Sequence, residues 1–149
     1  MSSAEQPIPG VAETTALAEI ERSEQEGVRV VAVVGEVDVS NVGALEGAAQ
    51  GLSNEALGVV VDLSRATYID SATIGVLFRL RRRLDRRGQV LRVICAPGSN
   101  AWRVLELTGF DRQMHPEEDR DAAIAAIHEA VPLNDGIALV NEQAREGEE

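Results

Sequence analysis

The sequence predicts an α/β domain: a mixed, mainly parallel β-sheet of four to five strands with about four helices. Three observations carry this. Runs of mostly β-branched apolar residues at Val28–Gly35 (VRVVAVVG), Gly58–Leu63 (GVVVDL) and Val90–Cys95 (VLRVIC) have the length and composition of covered strands. Between the last two, apolar residues recur at helical spacing, at Ile74, Leu77, Phe78, Leu80 and Leu84. From Val28 onward strands and helices alternate, the order expected when crossover helices join parallel neighbours. A chain of 149 residues suits one domain and is short for two.

Taken in order, residues 1–12 are polar with two prolines and read as a flexible tail. Leu17, Glu19 and Ile20 suggest a first, half-exposed strand, forming a hairpin with the strand from Val28 to Gly35; Glu36-Val37-Asp38 then makes a polar turn or short extension. Ser40 or Asn41 caps a helix through Val42, Leu45, Ala48, Ala49 and Leu52, amphipathic but weakened by Gly43 and Gly47. Gly58 opens the central strand. After a tight polar connection Tyr68 and Ile69 return to the core, and the next helix runs from Ser71 to about Arg87, with Gly88 as a left-handed stop. Pro97-Gly98-Ser99 leads into a third helix, Asn100 to Leu107, ended by Thr108-Gly109. Phe110 to His115 reads as a short edge strand, and Glu117 to Val131 as a last helix with acids in its first turn. The domain thus spans 13–132. Residues 133–149 form an acidic tail with one apolar patch, Ile137 to Val140.

Composition narrows the function. Aromatic residues make up only 3% of the chain, leaving few rings on which nucleic-acid bases would stack. The net charge is −11, from 25 acids against 14 bases, and every base is arginine. Such a polyanion is repelled by nucleic acid and anionic lipid and attracted to basic protein surfaces, so neither nucleic acid nor membrane is expected as a direct partner. The charge is uneven: residues 1–70 hold 12 acids and 3 arginines, and residues 71–149 hold 13 and 11. The single cysteine, Cys95, excludes an internal disulfide and suits a reducing cytoplasm. No basic-then-apolar leader opens the chain and no stretch approaches 18 apolar residues, which fits a cytoplasmic protein. No catalytic set is expected, since G-x-S-x-G, Walker and G-x-G-x-x-G motifs are missing. Neither cofactor nor metal is expected; His115 and His128 are too far apart in sequence to suggest a metal site.

The most informative string is Val61 to Gly75 (VDLSRATYIDSATIG). It sets Ser71 where a strand gives way to a helix, beside unpaired N–H groups and the positive end of the dipole, a setting that favours a phosphate. Ser71 is therefore either a helix cap or a phospho-acceptor. Asp70 is a second cap candidate, a solvated turn residue or a group that orients the serine hydroxyl. The arginine run Arg79, Arg81, Arg82, Arg83, Arg86 and Arg87 spreads over more than one helix face and reads as solvated surface, open to pairing with the acidic half. Cys95 and Trp102 read as core.

Two motifs resemble those of the STAS domain family, specifically its bacterial anti-sigma factor antagonists. The first is Gly35-Glu36-Val37-Asp38, similar to the family's Gly-Glu-Leu-Asp. The second is Asp62-Leu63-Ser64 followed by Asp70-Ser71 and Ile74-Gly75, similar to Asp-Leu-Ser and Asp-Ser-x-Gly-Leu-Gly. The resemblance covers roughly Leu17 to Val131. It implies that Ser71 is phosphorylated by an anti-sigma factor that is also a GHKL-type serine kinase, that a phosphatase resets it, and that the unmodified protein binds this partner and releases a sigma factor for transcription. Glu36, Asp38, Asp70, Ser71 and Thr73 would form the partner-binding face, and a homodimer is left open. The chain departs from the family at Thr73, where glycine is usual, and at Ala72, where a second Ser or Thr is common. Loss of that glycine stiffens the turn or alters how closely a kinase approaches. Two other readings are a non-switching STAS scaffold subunit of a signalling or transport assembly, and a nucleotide-binding STAS module.

Overall fold

A computed structural model describes residues 13–130. The expectations for residues 1–12 and 133–149, including Ile137 to Val140, lie outside them. The sheet has five strands in the order β1 (Glu13–Thr14), β2 (Ala18–Gln25), β3 (Val28–Val37), β4 (Gly58–Ile69) and β5 (Val90–Ile94). The first two pairings are antiparallel and the last two parallel. The β2–β3 hairpin turns on Glu26 and Gly27, both at positive φ, the geometry of a two-residue turn matched to strand twist. Crossovers carry α1 (Val42–Ala48) and α2 (Ser71–Arg86); then come α3 (Asn100–Thr108), α4 (Phe110–Gln113) and α5 (residues 120–130).

β4 is buried from Gly58 to Leu63, as its near-continuous apolar sequence requires. Its alternation splits the core. Val59, Val61 and Leu63 face α1, α2 and α3, while Val60 meets Ala123, Ile124 and Ile127 of α5. The stripe Thr73, Leu77, Leu80 and Leu84 buries α2 against the first of these faces, each leucine contributing on the order of 1.5–3 kcal/mol. Arg87 ends the helix and Gly88 adopts the left-handed conformation at φ 72°.

Five expectations need correction. The residues taken as a tight connection, Ser64 to Thr67, continue β4, because two irregularities in its pairing with β3 absorb the surplus length. Tyr68 lies outside the core at 44% exposure. Phe110 to Gln113 is a short helix and not an edge strand: Gly109 reverses the chain at φ 79°, and the buried Phe110 ring packs edge-on to Phe78 at 4.9 Å. The place beside β5 is instead held by Glu117 alone, bridged to Ile94. That pairing delays the last helix to residue 120, with the Asp119 side chain accepting from the Ala122 N–H. The first helix also stops at Ala48, short of Leu52.

Part of the arginine run pairs with acids, as its position allowed. Arg79 and Arg83 both reach Glu46, Arg81 lies 3.8 Å from Asp85, and Arg87 donates to the Leu52 carbonyl and Asn54. These are surface pairs of small individual worth. Cys95 is buried, and burial pushes its thiol up against a weaker opposing hydrogen bond with Ser99. Iodoacetamide at pH 8 is expected to leave Cys95 unmodified in the folded protein and to label it rapidly in 6 M urea; equal labelling rates by mass spectrometry would contradict this burial.

Candidate functional site

The site is the rim where β3 and β4 end side by side. Register sets Glu36 beside Tyr68 and Val37 beside Ile69, so Asp38 and Asp70 leave adjacent strand ends. Val37 and Ile69 are fully buried and anchor the rim from below. Gly35 is needed for the approach of the neighbouring strand: at φ 117°, a Cβ there would lie 2.4 Å from the Leu17 carbonyl oxygen, which accepts from the Glu36 N–H.

Two amides clamp the rim. The buried Asn41 donates to the Glu36 carbonyl and Thr15 Oγ1, and its own oxygen accepts from the Asp38 N–H. It therefore does not cap α1 through its side chain. On the other flank Asn100 Oδ1 accepts from the Ile69 N–H at 2.8 Å. Sequence reasoning missed both clamps; for Asn41 the available signal was the Asp-x-Ser-Asn string after a strand, typical of side chains that bond nearby backbone. Asn41→Ala is expected to lower stability by about 1–2 kcal/mol, because the Asp38 N–H and Glu36 carbonyl lose their partner. Chemical denaturation measures this, and an unchanged midpoint would contradict the clamp.

The Asp38 carboxylate accepts from both the Ser40 hydroxyl and the Ser40 N–H, and these bonds hold its pKa below the ordinary value. The bond network presents Val39 at 77% exposure, an apolar surface residue not singled out in the sequence. Glu36 is also exposed.

Of the two cap candidates at the helix start, Asp70 is the one that caps. Its carboxylate caps α2, accepting from Ala72 N–H at 3.0 Å and Thr73 N–H at 3.4 Å. Ser71 is the first helical residue, and its side chain is exposed. The structure thus brings Glu36, Asp38, Asp70 and Ser71 to one rim. Thr73 departs from the expected set: it is fully buried at the head of the α2 core stripe, with its hydroxyl unbonded. Its side chain is therefore not part of the exposed rim in this conformation.

His115 lies in a cleft of about 430 Å³ beside β5, and His128 Nε2 is 2.8 Å from the Glu26 carbonyl oxygen at the hairpin. Neither is at the rim. Two further clefts, of about 280 and 420 Å³, lie between residues 49–52 and α2 and between α5 and the hairpin, and no rim residue lines any of the three.

The sequence profile of the STAS domain matches residues 19–123. The chain belongs to the STAS domain family. No curated protein sequence matches it. Among solved structures, this STAS domain is similar to an anti-sigma factor antagonist from Mycobacterium paratuberculosis, at 25% identity and a TM-score of 0.66 over 74% of this chain and 94% of that one. A sulfate transporter family protein from Wolinella succinogenes shares the fold at 17% identity and TM-score 0.61, over 72% and 90% of the two chains. The Bacillus cell fate determinant SpoIIAA in its phosphorylated form shares it at 16% identity and TM-score 0.54, over 72% and 98%. Within the STAS domain, the rim just described lies inside the matched residues. Among the described residues no helix is long and apolar enough to cross a membrane.

Proposed function

We propose that this STAS domain is an anti-sigma factor antagonist whose docking is controlled by phosphate on Ser71. The observation that carries the reading is the division of labour at the start of α2: Asp70 satisfies the backbone, while the Ser71 hydroxyl stands exposed beside it. The partner is an anti-sigma factor with serine kinase activity of the GHKL type, and a phosphoserine phosphatase reverses the modification. Glu36, Asp38, Val39 and Asp70 surround the serine in the docked state. The protein itself supplies no catalytic group. Likeness to the mycobacterial antagonist and the acidic character of the rim support this reading.

Unmodified, the rim meets its partner as a neutral hydroxyl among carboxylates. A phosphoserine adds roughly −1.5 to −2 charges, and a complementary surface shaped for a hydroxyl has neither room nor counter-charge for it. The domain need not change shape. Release of the partner then returns the sigma factor to its inhibited complex.

The test is to isolate the protein from its own cells, with Ser71 intact and as Ser71→Ala, and to locate phosphate and bound proteins by mass spectrometry. Phosphate on Ser71 in a partner-free fraction, with an anti-sigma kinase in the unmodified fraction, is the expected result. A stable assembly of the same composition whatever the state of Ser71 would favour the non-switching scaffold instead.

A further inference from the structure

The helix-poor face of the sheet carries a second surface. Because Val33, Val37 and Ile69 point into the main core, their neighbours Val34, Glu36 and Tyr68 point to the opposite side. There α5 covers only the lower part, over Val28, Val30, Val60 and Ile94, and its first turn ends at the Arg120–Asp62 pair. Above that pair, two cross-strand rows lie outside the contacts of the described helices: Glu19–Val34–Arg65, and Leu17–Glu36–Tyr68. Leu17 is 40% and Tyr68 44% exposed, and Val34 is half-buried between them. The one cation in these two rows, Arg65, is already paired with Glu21 at 2.6 Å. The result is an apolar centre of Leu17, Val34 and Tyr68, edged by the carboxylates of Glu19 and Glu36.

We infer that this face docks a cationic amphipathic segment of a partner protein, with Tyr68 as its aromatic anchor. Charge decides the occupant. Residues 131–149 carry five acids and one arginine, residues 1–12 carry one acid and no base, and a second copy brings a net −11. Each of these would add carboxylates to a face that already presents them. A segment with apolar residues flanked by Lys or Arg instead meets both its centre and its edge, and an exposed tyrosine on a rigid strand is the residue type that most often dominates such contacts. Tyr68 lies two residues before Asp70, so the face adjoins the rim. Assigning the segment to the anti-sigma partner rests on the function proposed above; the chemistry of the face does not.

Amide NMR of the full-length protein, titrated with a synthetic leucine–lysine peptide of helical spacing, tests this. Saturable shifts centred on Leu17, Val34, Glu36 and Tyr68 are expected, with affinity at least ten-fold weaker for Tyr68→Ser and several-fold weaker for Glu36→Gln. A peptide of equal charge with serine in place of leucine should bind at least ten-fold more weakly. Equal affinity for the two peptides, or shifts centred on α5 or the Ser71 turn, would overturn the inference. So would concentration-dependent shifts of the same face without peptide, which would identify a second copy as its occupant. Failure here leaves the Ser71 switch standing, because Ser71 takes no part in the titration.

Discussion

Ser71→Glu is expected to weaken partner binding by about two orders of magnitude, and the phosphoserine form by up to four, while Ser71→Ala binds like the unmodified protein. The magnitude follows from burying an unpaired anion: on the order of 3–5 kcal/mol, with a carboxylate at the lower end because it carries less charge than a phosphate. Asp70 sharpens the effect, since its carboxylate is fixed one residue away by the capping bonds and cannot swing aside. The exposed hydroxyl makes the comparison clean, because none of the three changes removes a buried contact. Titration calorimetry of the captured partner against the three forms gives the answer. Equal affinities would refute the switch.

The second large effect concerns Asp62, the aspartate of the Asp-Leu-Ser string. It is 4% exposed on β4, where Oδ1 accepts from the N–H and hydroxyl of Ser64 and Oδ2 accepts from Arg120 Nε at 2.9 Å. These contacts tie the first turn of α5 to the middle of the sheet. Asp62→Ala is expected to cost about 2–3 kcal/mol, below the range for a fully buried pair because Arg120 is half-exposed and regains water. Burial by itself raises the Asp62 pKa, but the bonds from Ser64 and Arg120 outweigh it and leave the carboxyl below its ordinary value.

The pH dependence follows in sign. A carboxyl that holds its proton less tightly when folded stabilises the protein fully above the unfolded pKa, roughly 4, and this contribution disappears as pH falls through the lower folded value. The stability difference between wild type and Asp62→Asn should therefore be constant near neutrality and shrink from about pH 5 downward. Urea denaturation of both at stepped pH measures it. A difference that grows toward acid would reverse the assignment. Asp38 is also depressed, but it is present in both proteins and cancels.

Much of this was legible because some segments are buried on both sides. The valines of β3 and β4 announce covered strands, and the Leu77, Leu80 and Leu84 spacing announces α2 whatever lies around it. Gly88 stops that helix as its backbone freedom suggested. The failures share a different cause. Ser64 to Thr67 has the composition of a turn, and only pairing with β3 makes it strand. Phe110 to Gln113 is too short for any period to show, and a single buried ring decides its conformation. Thr73 heads a core stripe, but threonine is equally at home on a surface. At the rim, Glu36, Asp38, Asp70 and Ser71 were legible from their motifs. The Asn100 clamp was not, because it reaches Ile69 across 31 residues of sequence.

The capping bonds of Asp70 have a consequence for anyone trying to detect the modified form. Esterifying the neighbouring oxygen breaks no backbone contact and vacates no packed space, so melting temperature and circular dichroism should barely distinguish the two populations. Screens that watch unfolding would pass over the event; charge-resolving gels or intact-mass measurements would not. In the switch proposed here, phosphate on Ser71 changes how the molecule is read without changing how firmly it holds together.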